Sequence, residues 1–232
     1  MSVVILNVLC EGQSEQIFAR KVLYKYLQPF NIIVRTNLLV TNKKKNATGG
    51  MIDFAHVNRD FRNMVNTCHD TGYETNYFTT MFDLYALPND FPGYNSTNAD
   101  PYQYVSNIED ELYRTFNCPK FIPYIQLHEF ETLILCNPNK LKQEYPKSAR
   151  EIERMDEQWR TQCNNNPELV NTSYQTAPSR RITKALEGKY KYNKPMMAEM
   201  VTTDIGIDAL RGMCSHFNQW VEKIIGLSSS VL

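Results

Sequence analysis

The sequence predicts an α/β protein with a doubly wound, mainly parallel, four-stranded sheet flanked by helices. Four short apolar runs typical of buried strands occupy residues 3–9, 31–40, 77–82 and 121–127. Three longer segments with helical patterns separate these runs. Such segments are expected between parallel strands, because each parallel pair needs a crossover connection. From residue 139 onward the pattern is polar and mainly helical, which adds a C-terminal part without further strands.

Local signals place a helix between each pair of predicted strands. Gly12 allows a tight exit from the first strand, and Ser14 is the predicted N-cap of a helix that ends before Pro29. Residues 51–68 space their apolar side chains by three and four, which is the stripe of an amphipathic helix. Asp100 or Pro101 opens the third predicted helix. These helices are the expected crossovers of the sheet.

The chain is predicted to form one structural unit of two parts. Residues 1–138 form the α/β core, and residues 139–232 are a helical insertion and C-terminal helices that pack on it. Residues 148–160 have the pattern of an amphipathic helix. Residues 207–225 place Leu210, Phe217 and Trp220 on one face of a single further helix.

Composition and charge exclude several classes of protein. Of the 232 residues, 42% are hydrophobic, which is enough for a sizeable core. The 25 basic and 25 acidic residues cancel, so net charge does not indicate a nucleic-acid or membrane partner. No apolar run reaches the length of a membrane span, and the six cysteines form no C-x-x-C pair. We expect a cytoplasmic protein that does not bind membranes and whose charged surfaces are local.

Carboxylates follow three of the predicted strands. Glu11 comes after the first strand, Asp83 after the third, and Glu129 and Glu131 after the fourth. Because the carboxyl ends of parallel strands meet along one crevice, these acids are expected to converge on one divalent cation, magnesium or manganese. A site of that kind indicates phosphoryl transfer or nucleic-acid cleavage. The competing interpretation is structural, since acids near helix N-termini are common and mildly stabilising.

The third acidic position is ambiguous between two residues. If the segment around Glu129 and Glu131 is a strand, both side chains face the same side, whereas at the start of a helix they diverge. In the second case one of them is a ligand and the other is structural. His128 precedes the pair and is a candidate for substrate contact.

A basic segment, residues 179–194, contains candidate phosphate-binding residues. Ser179, Arg180, Arg181 and Lys184 open it, and Tyr190 and Tyr192 alternate with lysines towards its end. Such a stretch is able to follow a phosphate backbone. The alternative is a solvated helix face. The glycines of residues 41–50 follow their lysines in the wrong order for a P-loop, so any ATPase activity is expected to reside on another chain.

Several motifs resemble a known family. The segment LCEGQSEQIFARKVL resembles the first motif of Toprim domains, and MFDLYALPNDFPG resembles their acidic third-strand motif. Together with QLHEFETLIL, TAPSRRI and CSHFNQWVEKI, they make the chain similar to a bacterial domain-of-unknown-function family with a Toprim-like core. By this resemblance Glu11 takes the place of the Toprim glutamate and Asp83 that of the first aspartate of Asp-x-Asp. Tyr85 stands where the second aspartate belongs, so Glu129 or Glu131 is expected to supply the missing carboxylate.

The resemblance implies a magnesium- or manganese-dependent nuclease or phosphotransfer component of a bacterial defence-type system. Nucleic acid, an ABC- or SMC-type ATPase and further copies of the chain are the partners it implies. A degenerate Toprim-like module that binds an ATPase or nucleic acid without catalysis is the first alternative, and Tyr85 supports it. A small-molecule phosphohydrolase with the same metal site is the second.

Overall fold

The computed structural model describes residues 2–40, 51–94, 100–170 and 174–229. Five strands in this part of the chain form one parallel sheet with the order β2-β1-β3-β4, and β5 also pairs with β3. Their bounds are β1 (Val3–Cys10), β2 (Ile32–Leu38), β3 (Glu74–Asp83), β4 (Phe121–Ile122) and β5 (Ile125–Gln126). The predicted parallel α/β sheet is therefore confirmed. The lysine-containing loop at residues 41–50 lies outside the described residues.

The fourth predicted strand is interrupted. Residues 121–127 were expected to be continuous, but Pro123 lacks the N–H group that a continuous ladder needs, and the strand divides into β4 and β5. The side chain of Thr80 bridges the break, because its Oγ1 atom accepts from the N–H of Tyr124 at 3.1 Å and lies 3.0 Å from the Tyr124 carbonyl oxygen. β3 therefore holds both short strands in one sheet.

Helices surround the sheet. They are α1 (Gln13–Phe18), α2 (Tyr24–Leu27), α3 (Phe54–Thr67), α4 (Pro101–Phe116), α5 (Glu131–Leu135), α6 (Ala149–Gln162), α7 (Pro178–Leu186), α8 (Lys194–Ile205), α9 (Ile207–Met213) and α10 (Ser215–Ser229). A π-helical turn, Ala19–Leu23, joins α1 to α2. The predicted N-cap at Ser14 is wrong: α1 begins after Gly12, whose N–H group donates to the Glu15 carboxylate at 2.9 Å.

Two hydrophobic clusters cover the two faces of the sheet. On one face, alternate residues of β1 such as Val4 and Leu6 pack with α1 and with the C-terminal helices. On the other face, Leu9 and Phe78 pack with α3 and α4. β1 is buried on both sides, as its uninterrupted apolar sequence requires. Apolar residues from before and after residue 138 share the first cluster.

A buried carboxylate divides the predicted C-terminal helix into two. Glu168 is fully buried and accepts hydrogen bonds from the N–H groups of His216 and Phe217, both at 3.1 Å. Those two groups belong to the first turn of α10, where a helix has no internal partners for its N–H groups. Cys214, which is extended, separates α9 from α10. The single helix expected over residues 207–225 is therefore wrong.

Among the described residues, no helix combines the length and the apolar character that are needed to cross a membrane.

The contacts of Glu168 generate a stability prediction. Glu168→Ala removes a carboxylate that also accepts from the Tyr102 hydroxyl at 3.0 Å, and it leaves several buried donors unsatisfied. We expect the free energy of unfolding in urea to fall by about 2–4 kcal/mol. Glu187→Ala, at an exposed position after α7, is the matched control and should leave the urea midpoint unchanged. Equal midpoints for the two variants would contradict this account of Glu168.

Candidate functional site

Glu11 and Asp83 meet where the strand order reverses. β2 lies on one side of β1 and β3 on the other, so the adjacent ends of β1 and β3 form a topological switch point, which is where open α/β sheets bind ligands. Glu11 directly follows β1, and its Oε2 atom accepts a hydrogen bond of 3.0 Å from the N–H group of Asp83, the last residue of β3. The two predicted site residues are therefore brought together.

Burial and like charges perturb both carboxyl groups. Desolvation, reinforced by the charge of Glu15, raises the pKa of Glu11 from 4.5 to about 8. Desolvation and the neighbouring carboxylates also raise the pKa of Asp83. The Oδ1 atom of Asp83 is buried and has no hydrogen-bond partner in the described part of the chain. An unpartnered carboxylate oxygen beside a second carboxylate is a position that a cation would stabilise.

Glu15 is a further member of this cluster that the sequence analysis missed. It is buried in the first turn of α1, where its carboxylate accepts from the N–H group of Gly12. Desolvation and the charge of Glu131 raise the pKa of Glu15 to about 7, against the opposing effect of its backbone hydrogen bonds. The spacing of Gly12 and Glu15, an N-cap position followed three residues later by glutamate, was the available signal.

Glu129 and Glu131 diverge, as expected for the start of a helix rather than a strand. Both Glu129 oxygens accept from Ser179, at 2.8 Å from its N–H group and 2.9 Å from its hydroxyl, so Glu129 caps the first turn of α7. Glu131 is buried in α5, and its Oε1 atom lies 3.2 Å from the Nζ atom of Lys194. The two acids therefore have different partners, Ser179 for Glu129 and Lys194 for Glu131.

Lys194, the first residue of α8, brings a positive charge to the carboxylates. Burial lowers its pKa, but the charges of Glu131, Glu129 and Asp83 outweigh that effect and raise the pKa above its ordinary value. Lys194 therefore remains an ammonium ion at neutral pH. In the sequence Lys194 is only one member of a basic segment, because nothing local indicates that α8 folds back onto the ends of β1 and β3.

His128 is held in one tautomer. Its Nε2 atom lies 2.8 Å from the carbonyl oxygen of Glu168, so Nε2 carries the proton and donates. Its Nδ1 atom then accepts from the hydroxyl group of Tyr85 at 3.0 Å. Burial lowers the pKa of His128 to about 4, which keeps the ring neutral. His128 therefore positions Tyr85, the residue found where the resemblance expects an aspartate.

The predicted phosphate-binding residues separate. Ser179 contacts Glu129, as described above. Arg181 turns away from the carboxylates and donates to the carbonyl oxygen of Thr176 at 2.8 Å and to Gln162 at 2.9 Å. Arg180 and Lys184 line a neighbouring groove that also contains Lys194. Both arginines were predicted to contact phosphate, but on α7 they line different cavities.

Glu11, Asp83 and Lys194 line a cavity of about 550 Å³, which we call the acidic cavity. Its wall consists of Glu11, Asp83, Leu84, Tyr85, Ala86, Tyr94, Tyr104, Glu129 and Lys194. Magnesium is usually held by one or two carboxylates together with waters and substrate phosphates, and Glu11 with Asp83 fits that requirement. No group of three or more His, Cys, Asp or Glu side chains in the described ranges is arranged to hold a metal ion. The fit is therefore to an open site of two carboxylates.

Fold and site together define an α/β protein with a carboxylate-rich cavity at the carboxyl edge of a parallel sheet. A family model described as Domain of unknown function (DUF4276) matches residues 10–225, and the chain belongs to this family. The matched range contains all the carboxylates of the site. Neither the curated proteins nor the solved structures include a significant match to the chain.

The raised pKa of Glu11 predicts that stability decreases as pH rises. Between pH 4.5, the ordinary value, and about 8, the folded protein binds more protons than the unfolded chain, so its free energy of unfolding falls across this range and levels off above it. We expect a decrease of at least about 1 kcal/mol between pH 6 and pH 8.5, measured in urea with a chelator present.

Glu11→Gln is the control for this measurement, since it removes the titrating group. Other groups with a raised pKa, among them His216 and Glu15, contribute slopes of the same sign in both proteins, so the difference between wild type and variant reports the titration of Glu11 together with its effect on Asp83. Equal slopes for the two proteins would show that Glu11 does not titrate in this range.

Proposed function

We propose that this protein is a magnesium- or manganese-dependent phosphodiesterase with a Toprim-like core, related in mechanism to nucleases. One observation carries the proposal: Asp83, whose Oδ1 atom is buried and unpartnered in the described part of the chain, donates its N–H group to the Glu11 carboxylate at the switch point of the sheet. The arrangement of β1 and β3 and the position of Glu11 after β1 agree with the Toprim resemblance of the sequence.

Glu11 and Asp83 are the proposed metal ligands. The oxygens of Glu129 already accept two hydrogen bonds from Ser179, and Glu131 is paired with Lys194. We therefore assign these two acids, which the sequence predicted as ligands or catalytic residues, a supporting role: Glu131 positions Lys194, and Glu129 fixes the start of α7 beside the cavity.

The chain's own residues account for substrate binding and orientation. A bound magnesium ion would supply Lewis-acid stabilisation of the charge that develops on a phosphoryl group during in-line displacement. Lys194 offers a second positive charge with three N–H donors, placed in the cavity wall to contact a phosphoryl oxygen. Tyr85, which His128 holds by its hydroxyl group, forms part of the cavity wall.

We further propose that the protein acts in the cytoplasm and that an ATPase is supplied by another chain, in a defence-type system. The resemblance of the sequence motifs to Toprim-like proteins supports this proposal. In residues 41–50 the lysines precede the glycines, which is not the order of a P-loop.

A second candidate function is a binding module without catalysis. Two observations favour it: Tyr85 replaces the expected aspartate, and the described residues contain no arranged group of three metal ligands. In that case the cavity recognises part of an ATPase or a nucleic acid, and Lys194 alone neutralises the carboxylates.

Metal titration separates the two functions. We expect calorimetry at pH 8 to detect one manganese site in the wild type, weakened at least tenfold in Glu11→Gln and in Asp83→Asn. Glu157→Gln, an exposed substitution on α6, is the matched control and should bind like the wild type. Titrations are repeated with inorganic phosphate, because an open site gains ligands from substrate. A folded wild type that binds no manganese under either condition would support the binding module instead.

Lys194 provides a separate test of catalysis. Lys194→Met should retain manganese binding but lower the hydrolysis of bis(p-nitrophenyl) phosphate at least a hundredfold, because it removes a charge that faces the phosphoryl group. Lys194→Arg, which keeps the charge, should recover part of the activity. Full activity in the methionine variant would refute a role for Lys194 in the reaction.

A further inference from the structure

A second groove adjoins the acidic cavity. It has a volume of about 830 Å³ and runs along the exposed side of α7 to the segment before α8. Its wall contains four cations, Arg180, Lys184, Lys191 and Lys194, and a single acid, Glu187. We call this surface the basic groove. In a chain with equal numbers of acidic and basic residues, such a local excess is not a property of overall composition.

Lys194 belongs to both surfaces. It lies in the wall of the acidic cavity and in that of the basic groove, so the two are neighbours. At its other end the groove continues into a cleft of about 500 Å³ that shares Lys184 and also contains Arg154 and Arg181. The four cations of the basic groove therefore lie next to the acidic cavity that contains Glu11 and Asp83.

Two cations of the basic groove, Lys184 and Lys191, are available for a ligand. Lys184 and Lys191 are exposed, and neither forms an ion pair with a carboxylate in the part of the chain that the structure describes. Lys189, two residues from Lys191, does not line the groove and is paired with Glu151 at 3.0 Å. Arg180 and Lys184 are four residues apart on α7 and therefore lie on the same face of the helix.

We infer that the basic groove binds the backbone of a nucleic-acid strand and leads one of its phosphodiesters past Lys194 to Glu11 and Asp83. The inference rests on the proposed function and specifies its substrate class, since a small phosphoester would not extend beyond the acidic cavity. Spaced cations along a groove suit the repeated charges of a polynucleotide. Tyr190 packs against Tyr145, with ring centroids 5.2 Å apart, so phosphate contacts rather than base stacking dominate the binding.

The test measures binding without catalysis. Fluorescently labelled dT20 and rU20 are titrated with the full chain in a chelator, by anisotropy, at several salt concentrations. Each phosphate contact with a single strand contributes about 0.7 to the slope of log K against log salt. The double variant Lys184→Gln, Lys191→Gln should therefore lower the slope by about 1.4 and weaken binding at low salt at least tenfold.

The matched control is the double variant Lys147→Gln, Lys189→Gln, which removes the same charge from neighbouring positions outside the groove. Its slope should equal that of the wild type, and thermal melting confirms that both double variants are folded. Equal losses in the two double variants would overturn the inference, as would wild-type binding of polyglutamate or of phosphatidylserine vesicles as tight as that of either oligonucleotide.

The outcomes distinguish this inference from the proposed function. The inference fails when neither oligonucleotide binds the wild type in the chelator, whatever the metal titration shows. The proposed function fails when manganese is not bound, even where oligonucleotide binding and its slope are as expected.

Discussion

The burial of like charges at one end of the sheet is the constraint on which the rest of the structure depends. Desolvation and mutual repulsion disfavour charged carboxylates here, which raises the pKa of Glu11, Glu15, Asp83 and Glu131. Donors from separate parts of the chain offset this cost: the N–H groups of Gly12 and Asp83, the side chain of Lys194, and Ser179. The cluster consists of Glu11, Glu15, Asp83, Glu129 and Glu131. Holding them together therefore requires the α/β core and the C-terminal helices at once.

Three helices direct their N-termini at this cluster, which explains how the C-terminal half contributes. α1 begins beside Glu15, α7 begins at the Ser179 contacts with Glu129, and Lys194 is the first residue of α8. The N-terminal end of a helix carries a partial positive charge and unpaired N–H groups, so each start stabilises a nearby carboxylate. Glu168 uses the same principle at α10, away from the cavity. The starts of α1 and α7 and the side chain of Lys194 thus supply donors to the cluster.

The sequence predicted the sheet because the apolar runs of β1 and β3 are long and the helices between strands are strongly periodic. It also predicted the meeting of Glu11 and Asp83, since strand ends in a parallel sheet converge without knowledge of any contact. It could not predict Lys194, whose position depends on how α8 packs on α1, or the division of the last helix, which a distant glutamate causes. Pro123 was a local signal for the broken fourth strand. The orientation of Arg181 depends on the carbonyl oxygen of Thr176 and on Gln162, nineteen residues away, and neither contact is written in the apolar pattern of α7.

Lys194 couples the two surfaces that it joins. In the proposed complex, a phosphate that approaches Lys194 competes with Glu131 for its ammonium group, and this leaves the carboxylates with less compensating positive charge. The carboxylates then bind a divalent cation more strongly, and a cation in turn reduces the repulsion between the acidic cavity and the phosphate. Such coupling is reciprocal, because each ligand changes the affinity of the other by the same factor. A site with only two carboxylate ligands is consistent with this arrangement, since the substrate itself supplies the remaining oxygen atoms.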